Sequence, residues 1–433
     1  MLDLLVFPRP AVSSLHIVNA LKRRDFLCLW SGSLGASFAM NMQMIARGWL
    51  VYTMTSSAMD LAWVTLAFMV PQVFFSLWGG VLADRVHKRR ILVAAQLLNC
   101  AATLFMATII ITENVTFWDF IWLGMFNGTV LAFSIPARHA FVPDLVPRRL
   151  IFTAMALHTT GMNFARILGP VIAGFLIAWV ASGDTSSMRG VGIVYYVIAA
   201  LYLVAAVTML FVHSPGAPHP RQATSPLADL LEGVAYVRAH PPVFGLIMLS
   251  VVAFLFGMPL NTLLPAFNED ILGGGSDDLG LLMSAMGAGA IIGSLLLASA
   301  GDLRHKGVWL IATCFGWAAA TAALGFTSAL PFSMAVVAVF GWMSAWNMAL
   351  NRGLIQSQVA MRMRGRVMSI DMMSHGLMPL GMIPLGFIAD TFGVASALAV
   401  SGTLFAVAVA ALKWFSPAVR GVGAPAVAMG ATR

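Results

Sequence analysis

Residues 80–90 read GVLADRVHKRR and lie between two long apolar runs. We call this stretch the clasp. It contains one carboxylate, Asp84, and four permanent cations, which are Arg85, Lys88, Arg89 and Arg90. Because so many charges cannot lie in hydrocarbon, the clasp must form a turn at a membrane face. Its excess of Lys and Arg places that face on the cytoplasmic side.

The composition is that of a membrane protein. Only 10% of the 433 residues are charged and 60% are hydrophobic, whereas a soluble domain is about a quarter charged. At roughly 20 residues per span plus short connections, about twelve helical spans fit into the chain. The longest polar stretch, residues 213–242, is too short to form a separate soluble domain. We therefore expect any chemistry to occur within or across the bilayer.

The apolar runs predict twelve spans, at about 26–53, 58–83, 89–111, 117–139, 150–180, 190–212, 242–267, 279–301, 307–328, 331–357, 367–390 and 393–415. They divide the chain into a cytoplasmic leader (1–25), an N-terminal six-helix bundle (26–213), a cytoplasmic linker (214–241), a C-terminal six-helix bundle (242–415) and a cytoplasmic tail (416–433). Apolar residues at helical spacing predict an amphipathic helix at 227–238 of the linker.

The distribution of cations agrees with this topology and places both termini in the cytoplasm. Nearly all Lys and Arg outside the spans fall on one side, and only Arg189 falls on the other. The opposite loops carry acids such as Glu269 and Asp278. Cations that flank helices thus explain the net charge of +8. No nucleic-acid partner is expected.

The two halves of the chain repeat one another. Residues of the first half recur at similar spacing in the second, namely Asp84 as Asp302, Lys88 as Lys306, Arg138 as Arg352 and Gly169 as Gly381. A duplicated helical unit is a common plan of secondary transporters, whose substrate path lies between the two halves.

Several motifs resemble those of a known family. They are GxLADRxxKR (80–89), PAR (136–138), VPxLVP (142–147), NxxRxxGPxxAG (163–174), YVRxHP (236–241) and RGRVMS (364–369). From about residue 15 to 415 the chain resembles the major facilitator superfamily and, within it, the bacterial secretion-effector branch that includes the enterobactin exporter. The resemblance implies an all-α membrane protein of the inner membrane, with twelve transmembrane helices in two pseudo-symmetric six-helix bundles.

The resemblance also implies that the clasp closes the cytoplasmic side, through contact between Asp84 and the start of the eleventh span. A carboxylate at a helix N-terminus contributes ~0.3–1 kcal/mol, so such a latch can open again. The alternative is a turn that serves topology alone. The gating residues that we select are Gly80, Asp84, Arg85, Lys88, Arg89, Asp302, Arg138, Arg352, Gly169 and Pro170.

Arg166 is the main candidate for the substrate path. A cation within a span costs ~2.5–3.5 kcal/mol, so we expect Arg166 to face inward, with Asn163 and Pro170 on the same helical face. Its alternative role is a buried polar clamp between helices. For Arg47 the alternatives are cavity lining and snorkelling or pairing with Asp60. The other candidates for the path are Gln43, Asn127, Trp346 and Asn347.

Asp371 and His375 are the candidates for proton coupling, because an ionisable pair in a low-dielectric site can titrate in the working range. Helical spacing predicts that they share a face of the eleventh span with Ser374 and Met378. The alternative for Asp371 is neutralisation of Arg364 or Arg366 at the inner surface. Since the sequence has neither a phosphate-binding loop nor a zinc-binding His-Glu-x-x-His, we expect no cofactor and no metal.

These patterns predict a secondary active transporter that exports an amphipathic small molecule, such as a siderophore or a drug, in exchange for protons. The export direction follows from the resemblance. One alternative is an uptake permease of the same fold, which differs in the direction of substrate accumulation. Another is a non-transporting membrane receptor or scaffold, which would move nothing in liposomes. No enzymatic activity is predicted.

Overall fold

The computed structural model describes residues 14–180, 188–217, 226–299, 303, 305–360 and 363–415. Over these ranges the chain is helical almost throughout, which confirms the predicted all-α class. Within these ranges, eleven helical segments are long and apolar enough to cross a membrane. The helix at the first predicted span has 32 residues, but its hydropathy is too low for it to be counted among these segments. The total of twelve spans therefore stays a prediction.

The helices of the first half are α1 (Ser14–Leu21), α2 (Arg24–Thr55), α3 (Ala58–Arg85), α4 (Lys88–Ile111), α5 (Phe117–Phe141), α6 (Ile151–Val180) and α7 (Met188–Leu210). Helix α8 (Pro226–Ala239) lies in the linker. The second half has α9 (Pro241–Val252), α10 (Leu260–Asp270), α11 (Ser276–Ser299), α12 (Lys306–Leu324), α13 (Leu330–Gln358), α14 (Arg364–Met373), α15 (Met378–Phe392) and α16 (Val394–Phe415). The first and last residues of each predicted span lie within a few residues of the observed helix ends.

Two of the predicted spans are interrupted. A π-helical segment, Ala253–Gly257, separates α9 from α10, and a 3-10 turn, Ser374–Leu377, separates α14 from α15. Each interruption contains the position four residues before a proline, Pro259 or Pro379, whose ring would clash with that carbonyl in a regular helix. Asp371, Ser374 and Met378 are nevertheless all buried, and their shared face with His375 stays a prediction.

Equivalent helices pair in the same way in both halves. In the first half, α3 packs along α5, α4 along α7 and α2 along α6. In the second half, α11 packs along α13, α12 along α16 and α15 along the π-helical segment that follows α9. The predicted pseudo-symmetric pair of bundles is confirmed. The bundles meet where α6 packs on α11 and α3 on α15, and we call the space between them the seam.

Glycines allow the paired helices to approach closely. A Cβ atom on Gly128 would lie 2.0 Å from the carbonyl oxygen of Phe68, and one on Gly79 would lie 2.1 Å from that of Ala132. Helices α3 and α5 therefore touch backbone to backbone. Gly289 of α11 makes the same approach to α13. Such contacts matter because lipid removes the hydrophobic driving force between helices.

The linker helix α8 packs against α14 of the second bundle. The guanidinium of Arg366 donates to the Glu232 carboxylate at 2.7 Å. A helix is observed at the position predicted for it, 227–238, and its amphipathic character stays a prediction. Residues 1–13 of the predicted leader and residues 416–433, the predicted tail, lie outside the described part of the chain.

Replacing Gly79 by alanine should destabilise the first bundle by about 1–3 kcal/mol, because the new methyl group would overlap the Ala132 carbonyl. Gly80 is the matched control, since a Cβ atom there would meet nothing within 4 Å. In a helix, alanine is also favoured over glycine by about 1 kcal/mol. We expect Gly79→Ala in detergent to unfold several degrees below the wild type, and Gly80→Ala at or above it. Equal unfolding temperatures for the two variants would contradict the close contact.

Candidate functional site

A carboxylate of α15 joins the two bundles at the ends remote from the clasp, which we call the outer ends. Asp390 accepts hydrogen bonds from the N–H groups of Ala58 (2.6 Å) and Met59 (3.2 Å) and from the Ser57 hydroxyl (2.7 Å). These groups begin α3, where N–H groups lack helical partners and the helix dipole favours an anion. Asp390 thus caps a helix of the opposite bundle.

A second polar contact crosses the seam nearby. The Tyr52 hydroxyl of α2 donates to Oδ2 of Asp270 in α10 at 2.6 Å. Between α6 and α11, a Cβ atom on Gly174 would lie 2.8 Å from the Cα of Gly280, so these backbones are in direct contact. We call this set of contacts the outer lock, and its residues are Tyr52, Ser57, Ala58, Met59, Gly174, Asp270, Gly280 and Asp390.

Sequence reasoning missed the outer lock. Its polar residues lie at the ends of apolar runs. Polar residues are typical of any span boundary, so the sequence does not indicate which residues they contact. One signal was present for α3, since Ser57 and Asp60 have the spacing of a helix cap. The Ser57 hydroxyl does accept from the Asp60 N–H at 3.2 Å. The role of Asp390 could only be seen once the bundles were packed.

Arg166 lies on the seam side of α6. Next to it, Gly169 packs on α2 and Ile167 packs on α11, and Arg166 and Asn163 are exposed between these two contact faces. The opposite side of the helix carries exposed apolar residues, as expected of a surface in lipid, and these are Phe164, Ile172, Phe175 and Trp179. The only cation of α6 therefore points away from the lipid face.

Arg352 of α13 lies beside a buried carboxylate of the second bundle. Its Nε is 3.7 Å from Oδ2 of Asp371, and 41% of the Arg352 side chain is exposed. Arg352 thus connects the buried Asp371 to an exposed position.

Asp371 is buried among polar groups of α9 and α13. Its Oδ1 accepts from the Ser250 hydroxyl at 2.6 Å, and the Ser250 oxygen accepts from Nδ2 of Asn351 at 2.6 Å. The alternative that Asp371 neutralises Arg364 or Arg366 is wrong. Arg366 pairs with Glu232 of the linker helix, and Nε of Arg364 donates to a backbone carbonyl of the α13–α14 connection.

A small cavity of about 10 Å³ lies beside Asp371, with room for about one water. The π-helical segment borders it through Ala253 and Phe254, and Asn347 and Trp317 complete it from α13 and α12. Nδ2 of Asn347 donates to Sγ of Cys314 at 3.0 Å. The π-helical segment thus lies next to the buried carboxylate and its cavity.

Gln43 and Asn127 lie in the core of the first bundle. Nδ2 of Asn127 donates to Oε1 of Gln43 (3.1 Å), and Nε2 of Gln43 donates to the Thr103 hydroxyl (3.5 Å). All three side chains are buried. This network joins α2, α4 and α5 and gives the first bundle a polar interior.

Two further arginines lie inside the first bundle. Arg47 sits over the ring of Phe68, 5.6 Å from its centroid, so the alternative pairing with Asp60 is wrong. Arg138 is 5% exposed. Among the described residues, no carboxylate forms an ion pair with either arginine.

Two cations of the clasp, Lys88 and Arg89, are bonded to the first half of the chain. Nζ of Lys88 is buried and donates to Asp144 (2.9 Å) and to the Ala217 carbonyl (3.1 Å). Arg89 donates to the Leu210 carbonyl at 2.8 Å and so caps the C-terminus of α7. Arg85 is exposed. The side chains of Asp84 and His375, and the whole of Asp302, lie outside the described residues.

Pro170 is buried within α6, beside Gly169. Trp346 lies inside the second bundle, where Nε1 donates to the Gly293 carbonyl at 2.5 Å and the ring packs against Trp309. Trp346 and Asn347 are therefore core groups in this conformation.

A separate apolar groove of about 960 Å³ lies between α4 and α5. It runs along these two helices, and Arg90 and Asp119 are its charged lining residues. It belongs to the lipid-contacting surface and not to the seam.

The sequence profile of the transmembrane secretion effectors matches residues 17–422 of this chain. The chain belongs to the transmembrane secretion effector family. It is 26% identical to the staphyloferrin A transporter of Staphylococcus aureus, over 87% of this chain and 90% of that protein. It is 24% identical to macrolide efflux protein A of Streptococcus pyogenes (88% and 93%) and 25% identical to the enterobactin exporter of Shigella boydii (78% and 76%). The predicted relationship is confirmed.

Solved structures of major facilitator transporters share the fold of this secretion effector. A nucleoside transporter superposes with a TM-score of 0.71 at 14% identity, over 90% of this chain and 99% of that structure. A D-xylose–proton symporter gives 0.70 at 14% identity, over 93% and 99%. With the family match and the efflux and export functions named for its relatives, the protein is a multi-pass secondary transporter of the efflux type.

Removing the Asp390 carboxylate should open the outer ends of the secretion effector, because three hydrogen bonds across the seam are lost. Spin labels on Glu113→Cys and Phe326→Cys, which are exposed in outer loops of opposite bundles, report the separation. In a background without the native cysteines, we expect Asp390→Ala to add a longer distance in double electron–electron resonance.

Asp119→Ala is the matched control. Asp119 also caps a helix at the outer end, but its bonds to Thr116 stay within the first bundle. This variant should leave the distance distribution unchanged. An unchanged distribution in Asp390→Ala, or an equal change in both variants, would contradict the outer lock.

Proposed function

We propose that this secretion effector exports an amphipathic small molecule, of the siderophore or drug class, across the bacterial inner membrane by alternating access. The observation that carries the proposal is the seam, which is closed at the outer lock and has the exposed polar side chains of Asn163 and Arg166 on its α6 wall. The substrates named for the relatives, staphyloferrin A, macrolides and enterobactin, support this substrate class. The sidedness of the cations supports cytoplasmic termini.

The outer lock is suited to repeated opening. It consists of a few hydrogen bonds to carboxylates, each contributing about 1.5–3 kcal/mol at most, and of glycine contacts that separate without repacking a side chain. Opening would tilt one bundle against the other, as in other transporters built from repeats. In the opposite state the clasp, with Asp84 at the start of α14, would close the cytoplasmic side.

We propose Asp371 as the proton-binding group, with His375 as the second candidate. The ionised carboxylate attracts Arg352 at 3.7 Å and accepts from Ser250. Protonation would remove this attraction on Arg352. The position of a partly exposed cation would then depend on the proton, which is what coupling to a transported molecule requires.

Asp371→Asn should reduce gradient-driven transport at least tenfold, because the amide cannot bind and release a proton. The assay uses inverted membrane vesicles with an imposed proton gradient, and enterobactin and erythromycin as probes. Exchange of labelled for unlabelled probe without a gradient should persist, since it needs no proton transfer. Glu232→Gln, which removes a carboxylate at the linker helix, is the control and should transport normally.

Accumulation of a probe inside inverted vesicles corresponds to export, and its depletion would mean uptake. If uncouplers do not affect transport, or if Asp371→Asn keeps full gradient-driven accumulation, the proposed proton site is wrong. If purified protein moves neither probe in liposomes, the export proposal fails for both classes.

A further inference from the structure

The apolar groove between α4 and α5 has charges of opposite sign at its two ends. Arg90 lines it at the clasp end and Asp119 at the outer end, and its other lining residues are uncharged. Each of the two helices packs mainly against another partner, α4 along α7 and α5 along α3. The space between α4 and α5 is therefore open to molecules of the bilayer.

The groove is long enough to hold an acyl chain of one leaflet. Its α4 wall runs from Arg90 to Met106, which at 1.5 Å per residue is about 24 Å. One leaflet contributes about 15 Å of hydrocarbon, which is half of the bilayer core. A chain that starts beside Arg90 therefore ends between the levels of Leu98 and Ala102, which both line the groove.

Three residues of the clasp form one end of the groove. Leu82 of α3 and Val86 of the α3–α4 connection line it together with Arg90, in the first turn of α4. The neighbouring cations Lys88 and Arg89 are already bonded to oxygens of the first half of the chain. Arg90 is exposed, and its side chain makes no hydrogen bond or ion pair with any other described residue. Its guanidinium is therefore available to a headgroup.

Charge complementarity selects the class of headgroup. A guanidinium presents several N–H donors in a plane that matches phosphate oxygens, and basic residues next to a membrane surface attract anionic lipids. A zwitterionic lipid brings a positive group together with its phosphate, so it gains less from Arg90. At the outer end, the Asp119 carboxylate is bonded to Thr116 and repels an anion. An anionic lipid is thus favoured at the clasp end alone.

We propose that the groove binds one anionic phospholipid of the clasp-side leaflet, with its phosphate at Arg90 and an acyl chain along α4 and α5. The bound lipid contacts α3, α4 and α5 together, so it holds the clasp end of α3 against the rest of the first bundle. The site lies on the lipid-contacting surface, away from the seam. This inference does not depend on the proposed export.

Native mass spectrometry of the full-length protein tests the lipid class. The protein is delipidated in detergent and titrated with phosphatidylglycerol or with phosphatidylcholine of the same acyl chains. We expect the first phosphatidylglycerol to bind about fivefold more tightly, as expected for one cation near a charged headgroup. Arg90→Gln should abolish this preference. Arg90→Lys keeps the charge and should retain most of it, which separates a charge effect from misfolding.

Leu97 and Leu98 provide a matched pair for the groove itself. Both lie on α4 and are 47% and 48% exposed, but of the two only Leu98 lines the groove. Leu98→Trp fills the groove and should weaken phosphatidylglycerol binding about fivefold or more, because the acyl chain loses its apolar contact. Leu97→Trp should bind as the wild type does. Arg24→Gln removes an exposed cation at the start of α2, on the clasp side, and should also bind normally.

Equal binding of the two lipids, an unchanged preference in Arg90→Gln, or equal affinities of Leu97→Trp and Leu98→Trp would each overturn the inference. An equal loss of affinity in Arg24→Gln and Arg90→Gln would also overturn it, because binding would then follow the total charge of the clasp side and not the groove.

Discussion

Hydrocarbon cannot solvate a charge or an unpaired backbone group, and the arrangement of this protein follows from that constraint. The clasp cations lie at a turn, where Lys88 and Arg89 bind carboxylate and carbonyl oxygens. Arg166 avoids the lipid side of α6, which is left to Phe164 and its apolar neighbours. The same constraint that places each helix in the bilayer thus creates a polar seam between the bundles.

The positions of the helices could be predicted from the sequence, because the length of an apolar run and the sidedness of cations are local properties. The linker helix α8 and the internal repeat could also be predicted, since both follow from the spacing of residues along the sequence. The interruptions at 253–257 and 374–377 were missed, because average hydrophobicity is insensitive to backbone hydrogen bonding. Pro259 and Pro379 follow these interruptions, but prolines such as Pro71 and Pro136 lie inside continuous helices, so proline alone does not predict an interruption.

The pairing of polar groups was harder to predict than their burial. The sequence indicated that Arg352 and Asp371 are exceptional, but the choice of Arg352 over Arg366 as the cation beside Asp371 depends on how α13 and α14 pack. The contacts of the outer lock could not be predicted for the same reason, because they depend on how the two bundles pack. Asp390 acts on α3 of the opposite bundle, and no spacing within either segment encodes that contact.

The site combines a fixed part and a movable part. Hydrogen bonds within the bundles, such as Gln43 to Asn127, hold each bundle together as a unit. The outer lock consists of a few hydrogen bonds and glycine contacts, so a transport cycle can break it at small cost. Arg352 lies between the two parts, because its Nε is 3.7 Å from Asp371 and 41% of its side chain is exposed. This is the place where a proton and a transported molecule could influence each other.

The most direct test of a polar seam compares two neighbouring positions of α6. Asn163 is exposed on the seam side and Phe164 on the lipid side. Each is changed to cysteine in a background without the three native cysteines, and a membrane-impermeant maleimide is added to inverted vesicles. The account predicts rapid labelling of Asn163→Cys and little or no labelling of Phe164→Cys. Preferential labelling of Phe164→Cys, or equal labelling of both, would contradict it.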